Sequence, residues 1–150
     1  MGVVTIEREI TTSVPQATMF NIFCPENHHL LHKSIPHASV ETHEGNGGPG
    51  TIKKATFAAH PDHEFKYVKT KAEAIDKANF TIGYSIIEAD PWSDKLEKIT
   101  VVVKVEASSN GGSIIKSCFK YVPKANCELD EAEINANADK IMNFYKVLEN

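Results

Sequence analysis

The spacing that most resembles a chemical motif lies in a glycine-rich run from Gly45 to Gly50. The run fits the G-x-G-x-x-G pattern of dinucleotide loops and the G-x-x-x-x-G spacing of loops that hold ATP phosphates. The first loop must lead into a helix, and the second requires Lys-Ser/Thr directly after its last glycine. Here Thr51 follows and opens an alternating strand pattern that continues to Phe57. We therefore predict a structural turn, with weak anion binding through Lys53 and Lys54 as the alternative. The turn residues are Gly45, Asn46, Gly47, Gly48, Pro49 and Gly50.

Two histidines, His28 and His32, are spaced so that both could reach one transition-metal ion from a helix. No glutamate lies between them, and no third ligand is close in the sequence. We therefore predict no metal site and no cofactor. No arrangement of Ser, His and Asp suggests a nucleophilic triad.

The overall charge gives nucleic-acid binding no support as a bulk property, because 20 acidic residues outnumber 16 basic ones. No apolar run approaches the ~18 residues that a membrane span needs, and the N-terminal residues lack the features of a signal peptide. We therefore expect a cytoplasmic protein that does not engage a membrane. Its cysteines should be reduced, and the apolar pattern around Cys118 predicts a buried, unreactive thiol.

Most of the chain alternates between apolar and polar residues, which is typical of strands with one buried face. Turn residues separate most of these segments and no helical pattern lies between them, so the sheet should be antiparallel. Two short helices are predicted after the first strand, through Phe23 and then from Glu26 to Lys33. We predict one α+β domain over residues 1–150. Its seven strands lie near 3–12, 38–44, 51–58, 63–71, 78–88, 95–106 and 112–122.

A long helix is predicted from 131 to 149. Asp130 and Glu133 have the spacing of a capping box at its start. One apolar stripe then runs along the helix at spacings of three and four residues, which favours packing on the sheet. The stripe consists of Ile134, Ala138, Ile141, Tyr145 and Leu148.

The strand near 78–88 places Phe80, Ile82, Tyr84 and Ile86 on one face, which we expect to point inward. A buried tyrosine needs a partner for its hydroxyl. Tyr84 therefore lies at a wet boundary or in a cavity, or else its hydroxyl bonds a backbone carbonyl. The strand pattern alone leaves both interpretations open.

The segment from Glu44 to Lys54 carries a specific resemblance. Together with Thr12-Ser13-Val14-Pro15, Phe65-Lys66-Tyr67-Val68-Lys69 and Tyr84-Ser85-Ile86-Ile87-Glu88, it resembles the class-ten pathogenesis-related proteins of plants, the family of the major birch pollen allergen. The resemblance covers essentially the whole chain. It implies a helix-grip fold, in which a curved seven-stranded antiparallel sheet surrounds a long C-terminal helix and two short helices brace it. It also implies a defence- or stress-related protein whose internal cavity binds flavonoids, cytokinins or other phytohormones, sterols or fatty acids.

The resemblance also implies which residues line the cavity. If the amine of Lys140 points inward, it should favour ligands with an acidic or phenolic group. If it points outward, it is only a surface charge, which is the interpretation we favour. The implied cavity wall consists of Phe23, Leu31, Phe57, Tyr67, Phe80, Ile82, Tyr84, Val101, Asn137, Lys140, Ile141 and Phe144.

Two enzymatic alternatives follow from the same resemblance. A ribonuclease would use the glycine loop with Lys53, Glu97 and Glu149, although the C-terminal Tyr of that pattern has no counterpart here. A condensing enzyme, similar to the norcoclaurine synthases, would use Lys116 as acid–base. We expect binding rather than catalysis, with a hydrophobic or amphipathic plant metabolite as partner and RNA only under the ribonuclease alternative. The expected state is a monomer, with weak dimerization as the alternative.

Overall fold

The computed structural model describes residues 3–23, 38–45, 48–57, 66–90, 96–125 and 127–147. In these ranges the chain forms seven strands and two helices. The second short helix predicted at Glu26 to Lys33 lies outside the described residues, as do His28 and His32. The elements are β1 (Val4–Thr12), α1 (Gln16–Phe23), β2 (Ala38–Glu44), β3 (Ile52–Phe57), β4 (Tyr67–Asp76), β5 (Thr81–Asp90), β6 (Leu96–Ala107), β7 (Ser113–Pro123) and α2 (Glu131–Val147).

All seven strands form one antiparallel sheet in the order β1-β7-β6-β5-β4-β3-β2. The prediction of a seven-stranded antiparallel sheet is therefore confirmed. β1 and β2 are its edges, and β7 crosses back to pair with β1. We call the side on which α2 packs the concave face and the other side the convex face.

Two bulges interrupt the pairing of β4 with β5. Glu73 on β4 and Ile87 on β5 are each an extra residue without a direct partner. A bulge bends its strand and reverses which alternate residues face each side, so these bulges help to curve the sheet. Beyond Ile87 the inward position passes from Ile86 to Ala89, and both side chains are buried.

Strands β4 and β5 also begin later than predicted. Asp76 ends β4 and caps a short 3-10 turn, Lys77–Asn79, because its carboxylate accepts hydrogen bonds from the backbone N–H and the side-chain amide of Asn79 (3.2 and 2.8 Å). Phe80 follows with φ of 50°, a left-handed conformation outside the strand. The expectation that Phe80 belongs to the β5 strand pattern was therefore wrong. Its half-buried ring instead packs edge-on against Phe20 of α1, with centroids 5.6 Å apart.

The core lies against the concave face of β6 and β7. Its central side chains are fully buried. Burying an apolar side chain of this size stabilises the folded state by about 1.5–3 kcal/mol relative to leaving it exposed to water. α1 closes this part of the sheet through Met19 and Phe20, and Gln16 donates a hydrogen bond to the Val105 carbonyl (3.0 Å). The central residues on β6 and β7 are Ile99, Val101, Val103, Val105, Ile115, Phe119 and Tyr121.

α2 begins as predicted at Asp130, whose carboxylate accepts a hydrogen bond from the Ala132 N–H (2.8 Å). Such a cap satisfies one of the free amides of the first helical turn. Ile134, Ala138 and Met142 form its buried face. The predicted stripe missed Met142. The side chains of Ile141 and Tyr145, as well as the whole of Leu148, lie outside what the structure describes.

Candidate functional site

A hydrogen bond between Tyr121 of β7 and Asn137 of α2 crosses the interior between sheet and helix. The tyrosine hydroxyl donates to the Asn137 Oδ1 at 2.7 Å. The Tyr121 ring has no exposed surface. Burial, followed by the nearby Tyr84, raises the pKa of the Tyr121 hydroxyl well above its usual range, so it remains a neutral donor. Asn137 was among the predicted cavity residues, and this bond fixes its orientation.

Tyr84 of β5 lies on the same concave face and is half-buried. In the sheet register it pairs with Val101 on one side and Ala72 on the other, and both are buried. Tyr84 and Tyr121 lie on the same face of the sheet, with β6 between their strands. This position, between apolar neighbours and partly open to solvent, suits the interpretation of Tyr84 at a wet boundary.

The burial of the concave face changes from one side of the sheet to the other. Val101, Val103 and Phe119 on β6 and β7 have no exposed surface. The inward residues Ala55 and Val68 on β3 and β4 are only partly buried. Among the described residues, α1 packs on β6 and β7 and α2 packs on β1, and neither makes an extensive contact with β2, β3 or β4. In the described part of the chain, solvent therefore reaches the concave face at Ala55 and Val68, whereas Lys53 and Ala72 on the same two strands are buried.

Two neighbouring lysines of β3 point to opposite faces. Lys53 pairs with Thr42 and Thr70 and is 8% exposed, on the concave side. Lys54 lies on the convex side, with its Nζ 4.5 Å from the centroid of the Tyr67 ring, a cation–π contact. Because Val68 contacts the core, the adjacent Tyr67 faces outward with Lys54. This placement differs from the expectation that Tyr67 lines the cavity.

The other predicted cavity residues divide into three groups. Ile82 and Val101 are buried on the concave face, and Phe80 closes the end of β5 against α1. Leu31 lies outside the described residues. For the last group the structure gives the element but not the side chain. This group consists of Phe23 on α1, Phe57 on β3, and Lys140, Ile141 and Phe144 on α2.

The glycine-rich loop joins β2 to β3, so it connects two strands rather than a strand to a helix. Gly45 and Gly50 adopt positive φ values of 92° and 89°. The loop is tied to β4 by hydrogen bonds from the Gly50 N–H to the Ala72 carbonyl (2.6 Å) and from the Ala72 N–H to the Thr51 carbonyl (2.8 Å). The structure thus favours the predicted turn over either phosphate loop. Asn46 and Gly47 lie outside the described residues.

The described residues of the proposed ribonuclease site are not brought together. Lys53 is on β3 and Glu97 is on β6, with β4 and β5 between them. Three strand spacings of about 4.8 Å put the two backbones roughly 14 Å apart along the sheet. Glu97 is also exposed, whereas Lys53 is buried on the concave side. Glu149 lies outside the described residues.

The lysine of the condensing-enzyme alternative points away from the interior. Lys116 is on the convex face, and its Nζ lies 3.0 Å from a carboxylate oxygen of Glu106. This ion pair raises the pKa of Lys116 and lowers that of Glu106. An exposed ammonium with a raised pKa is a poor acid–base for chemistry inside the cavity, so the position of Lys116 does not support the condensing-enzyme alternative.

A shallow groove of about 430 Å³ runs over the convex face between β1, β7 and β6. Glu7, Val102, Lys104 and Cys118 are among its lining residues. Cys118 is half-buried there, because the inward positions of β7 are the odd-numbered residues from Ser113 to Tyr121. The prediction of a buried Cys118 thiol was therefore wrong.

Sequence reasoning missed Arg8, a charged residue on the concave side of β1. Its guanidinium donates hydrogen bonds to Asp139 (2.9 Å) and Asn135 (2.7 Å) of α2 and to its own neighbour, the Glu7 carbonyl (3.0 Å). The signal was present in the alternation Ile6-x-Arg8-x-Ile10, which places Arg8 on the inward face. Arg8 holds one turn of α2 against the sheet edge.

Among the described residues, no helix is long and apolar enough to cross a membrane. Within the same ranges, no three His, Cys, Asp or Glu side chains are grouped so that they could hold a metal ion.

A curved antiparallel sheet with a long C-terminal helix on its concave face, and polar side chains facing the space between them, defines a helix-grip protein. The chain belongs to the pathogenesis-related protein Bet v 1 family, whose profile matches residues 1–150. The major allergen Pru av 1 of Prunus avium is 42% identical over 99% of this chain and 93% of its own length. The major strawberry allergen Fra a 1-B of Fragaria ananassa is 40% identical with the same coverage.

Solved structures agree on the fold. The crystal structure of Ara h 8.0201 superposes with a TM-score of 0.79 at 36% sequence identity, covering 99% of this chain and 96% of that one. The ginseng major latex-like protein 151 from Panax ginseng superposes with a TM-score of 0.76 at 14% identity, covering 99% of this chain and 97% of its own. That second likeness concerns the fold alone.

Proposed function

We propose that this protein binds an amphipathic small molecule between the concave face of the sheet and α2. The observation that carries the proposal is the half-buried Tyr84, which lies beside buried apolar side chains and on the same face of the sheet as the Tyr121–Asn137 pair. Apolar walls with a few fixed polar groups are typical of small-molecule sites. The partly buried inward side chains of β3 and β4 support a route of entry from that side.

The chemical class of ligand follows from these groups. Ile82 and Val101 offer apolar contact surface, whereas the phenol of Tyr84 can donate or accept a hydrogen bond. Lys53 adds a cation on the same face, close to Thr70. These features suit flavonoids, cytokinins or other phytohormones, sterols and fatty acids. The cellular role that we propose is a stress- or defence-related carrier or receptor in the cytoplasm, acting as a monomer.

A displacement titration tests the proposal. An amphipathic fluorescent dye such as 8-anilinonaphthalene-1-sulfonate is bound first, and one member of each ligand class is then added. We expect displacement by at least one class with a low-micromolar Kd, about 8 kcal/mol of binding free energy. Failure of every class to displace the dye, or failure of the dye to bind, would contradict the proposal.

Two tyrosines on neighbouring strands provide a matched pair of variants. Tyr84 lies on the concave face and Tyr67 on the convex face, and both are half-buried. We expect Tyr84→Ala to weaken binding of the displacing ligand about tenfold, which is the usual effect of losing one well-packed contact. Tyr67→Ala should leave the affinity unchanged. Equal effects of the two substitutions would point to a ligand site outside the concave face.

A further inference from the structure

The hydroxyl of Ser117 is a buried polar group without a partner. The Ser117 side chain is 3% exposed, and among the described residues its Oγ is the one buried side-chain nitrogen or oxygen that makes no hydrogen bond. Ser117 lies on the concave face, because it pairs with Arg8 on β1 and with Val103 on β6. Burying a hydroxyl without a hydrogen bond is unfavourable, so such a group in a folded protein calls for an explanation.

The charged neighbour of Ser117 is already engaged elsewhere. Arg8 directs its guanidinium to Asp139, Asn135 and the Glu7 carbonyl. Its positive charge is therefore matched by the Asp139 carboxylate, which lies 2.9 Å away. The surroundings of Ser117 thus carry no unbalanced charge from this pair, and a neutral group suits them better than an anion.

The helix above this part of the sheet presents a small side chain. The turn of α2 that binds Arg8 through Asn135 and Asp139 also carries Ala138, which has no exposed surface. Ala138 thus lies on the buried face of α2 next to Asp139, and Ser117 lies on the buried face of the sheet beside Arg8. Small side chains at these two positions fill this part of the interior less than branched ones would.

We propose that the Ser117 hydroxyl is a hydrogen-bond anchor for a neutral hydroxyl or carbonyl group of the bound molecule. A serine hydroxyl can donate to a ketone and can also accept from an alcohol or phenol. The anchor makes the protein select hydroxylated or keto amphipathic molecules over hydrocarbon analogues of the same shape. This inference rests on the proposed function, and it adds a specificity-determining residue to it.

A matched ligand pair tests the anchor. The affinities of 2-naphthol and naphthalene are measured for the unaltered protein and for Ser117→Ala by displacement of the same dye. We expect Ser117→Ala to weaken 2-naphthol about fivefold, the usual effect of one lost hydrogen bond, and to leave naphthalene unchanged. The test compares the ratio of the 2-naphthol and naphthalene affinities between the unaltered protein and Ser117→Ala. The ratio is used because the two compounds also differ in hydration. Cys118→Ala, on the convex face of the same strand, is the control and should not move the ratio.

The outcomes separate the anchor from the binding site as a whole. An unchanged ratio in Ser117→Ala, with dye binding intact, would overturn the anchor and leave the proposed function standing. Failure of the unaltered protein to bind dye and both naphthyl compounds would overturn both. Ser117→Cys nearly keeps the size of the side chain while weakening its hydrogen bond. It should therefore give the same affinity ratio as Ser117→Ala, which would show that the change comes from the lost hydrogen bond and not from altered packing. Thermal unfolding of each variant confirms that it is folded.

Discussion

The guanidinium of Arg8 on β1 and the carboxylate of Asp139 on α2 lie 2.9 Å apart, although 131 residues separate them in the chain. The contact joins the first strand to the last helix at the edge of the sheet. Asn135, one turn earlier on α2, accepts a second hydrogen bond from the same guanidinium. This cluster sets how closely α2 approaches the concave face, and therefore the shape of the space beneath it.

Replacing Arg8 should loosen α2. The Arg8–Asp139 pair is partly exposed, so the ion pair itself contributes little. The loss of its hydrogen bonds to α2 should lower the free energy of unfolding by about 1 kcal/mol in Arg8→Met, which keeps the apolar stem. Urea unfolding measures the change, and amide exchange of α2 should accelerate. Lys104→Met, on the exposed convex face, should be nearly neutral. Equal stability of Arg8→Met and the unaltered protein would contradict this role.

The buried phenol of Tyr121 predicts a dependence of stability on alkaline pH. Its pKa in the folded protein is raised above the ordinary value of about 10 that the unfolded chain should show. Its contribution is thus complete below the unfolded pKa and is lost as pH rises from there toward the folded pKa. Between about pH 9 and 11, the stability of the unaltered protein should fall more steeply than that of Tyr121→Phe. Parallel curves for the two proteins would show that Tyr121 does not titrate as the structure implies.

The hydrogen bond of Tyr121 should also be measurable near neutral pH. Tyr121→Phe leaves the Asn137 Oδ1 without its partner in a partly buried site, which should cost about 1–2 kcal/mol of stability. The double variant with Asn137→Ala should be less destabilised than the sum of the two single variants. Strict additivity in this double-mutant cycle would mean that the two side chains do not interact in solution.

Alanine substitutions at two glycines of the same loop distinguish the cost of backbone strain from the cost of a steric clash. Gly45 and Gly50 both have positive φ, but a Cβ on Gly45 would lie 2.6 Å from the Thr51 Oγ1, whereas none would be within 4 Å at Gly50. Gly50→Ala should therefore cost only the left-handed conformation, about 1–2 kcal/mol. Gly45→Ala should cost measurably more because buried Thr51 must move. Chemical denaturation compares the two, and equal losses would argue against the close approach of Gly45 to Thr51.

The convex face should be irrelevant to ligand binding. Lys116→Ala removes the nearer of the two lysine partners of Glu106 and changes no side chain on the concave side. Dye affinity should be unchanged, and stability should change by less than about 0.5 kcal/mol, as for other exposed ion pairs. A loss of dye affinity in Lys116→Ala would contradict this expectation and would support the alternative in which Lys116 acts as an acid–base.

The sequence predicted the architecture because alternation and helical periodicity are local signals. The seven strands, the cap at Asp130 and the turn at the glycine loop all follow from residues close together in the chain. The bulges at Glu73 and Ile87 could not be found in this way. A bulge inserts one residue without a distinctive composition, yet it changes which side chains face inward beyond it.

The site was harder to predict than the fold. Tyr67 and Val68 are adjacent and both suit a cavity wall, and only the register with β3 shows that Val68 faces inward. Met142 lies on the described buried face of α2 because the described buried residues, Ile134, Ala138 and Met142, follow a spacing of four, and the predicted stripe did not include Met142. The role proposed for Ser117 depends on its lack of a hydrogen bond, which can be recognised only from the positions of the neighbouring residues.

The most direct test of an interior binding site compares two adjacent valines of β6. Val101 faces the concave side and has no exposed surface, whereas Val102 faces the convex side and is 42% exposed. Methyl NMR spectra recorded during a titration with 2-naphthol would follow both. We expect the Val101 and Ile82 methyl signals to shift with saturation while Val102 stays in place. Shifts at Val102 alone, or at neither valine, would contradict a ligand site between the sheet and α2.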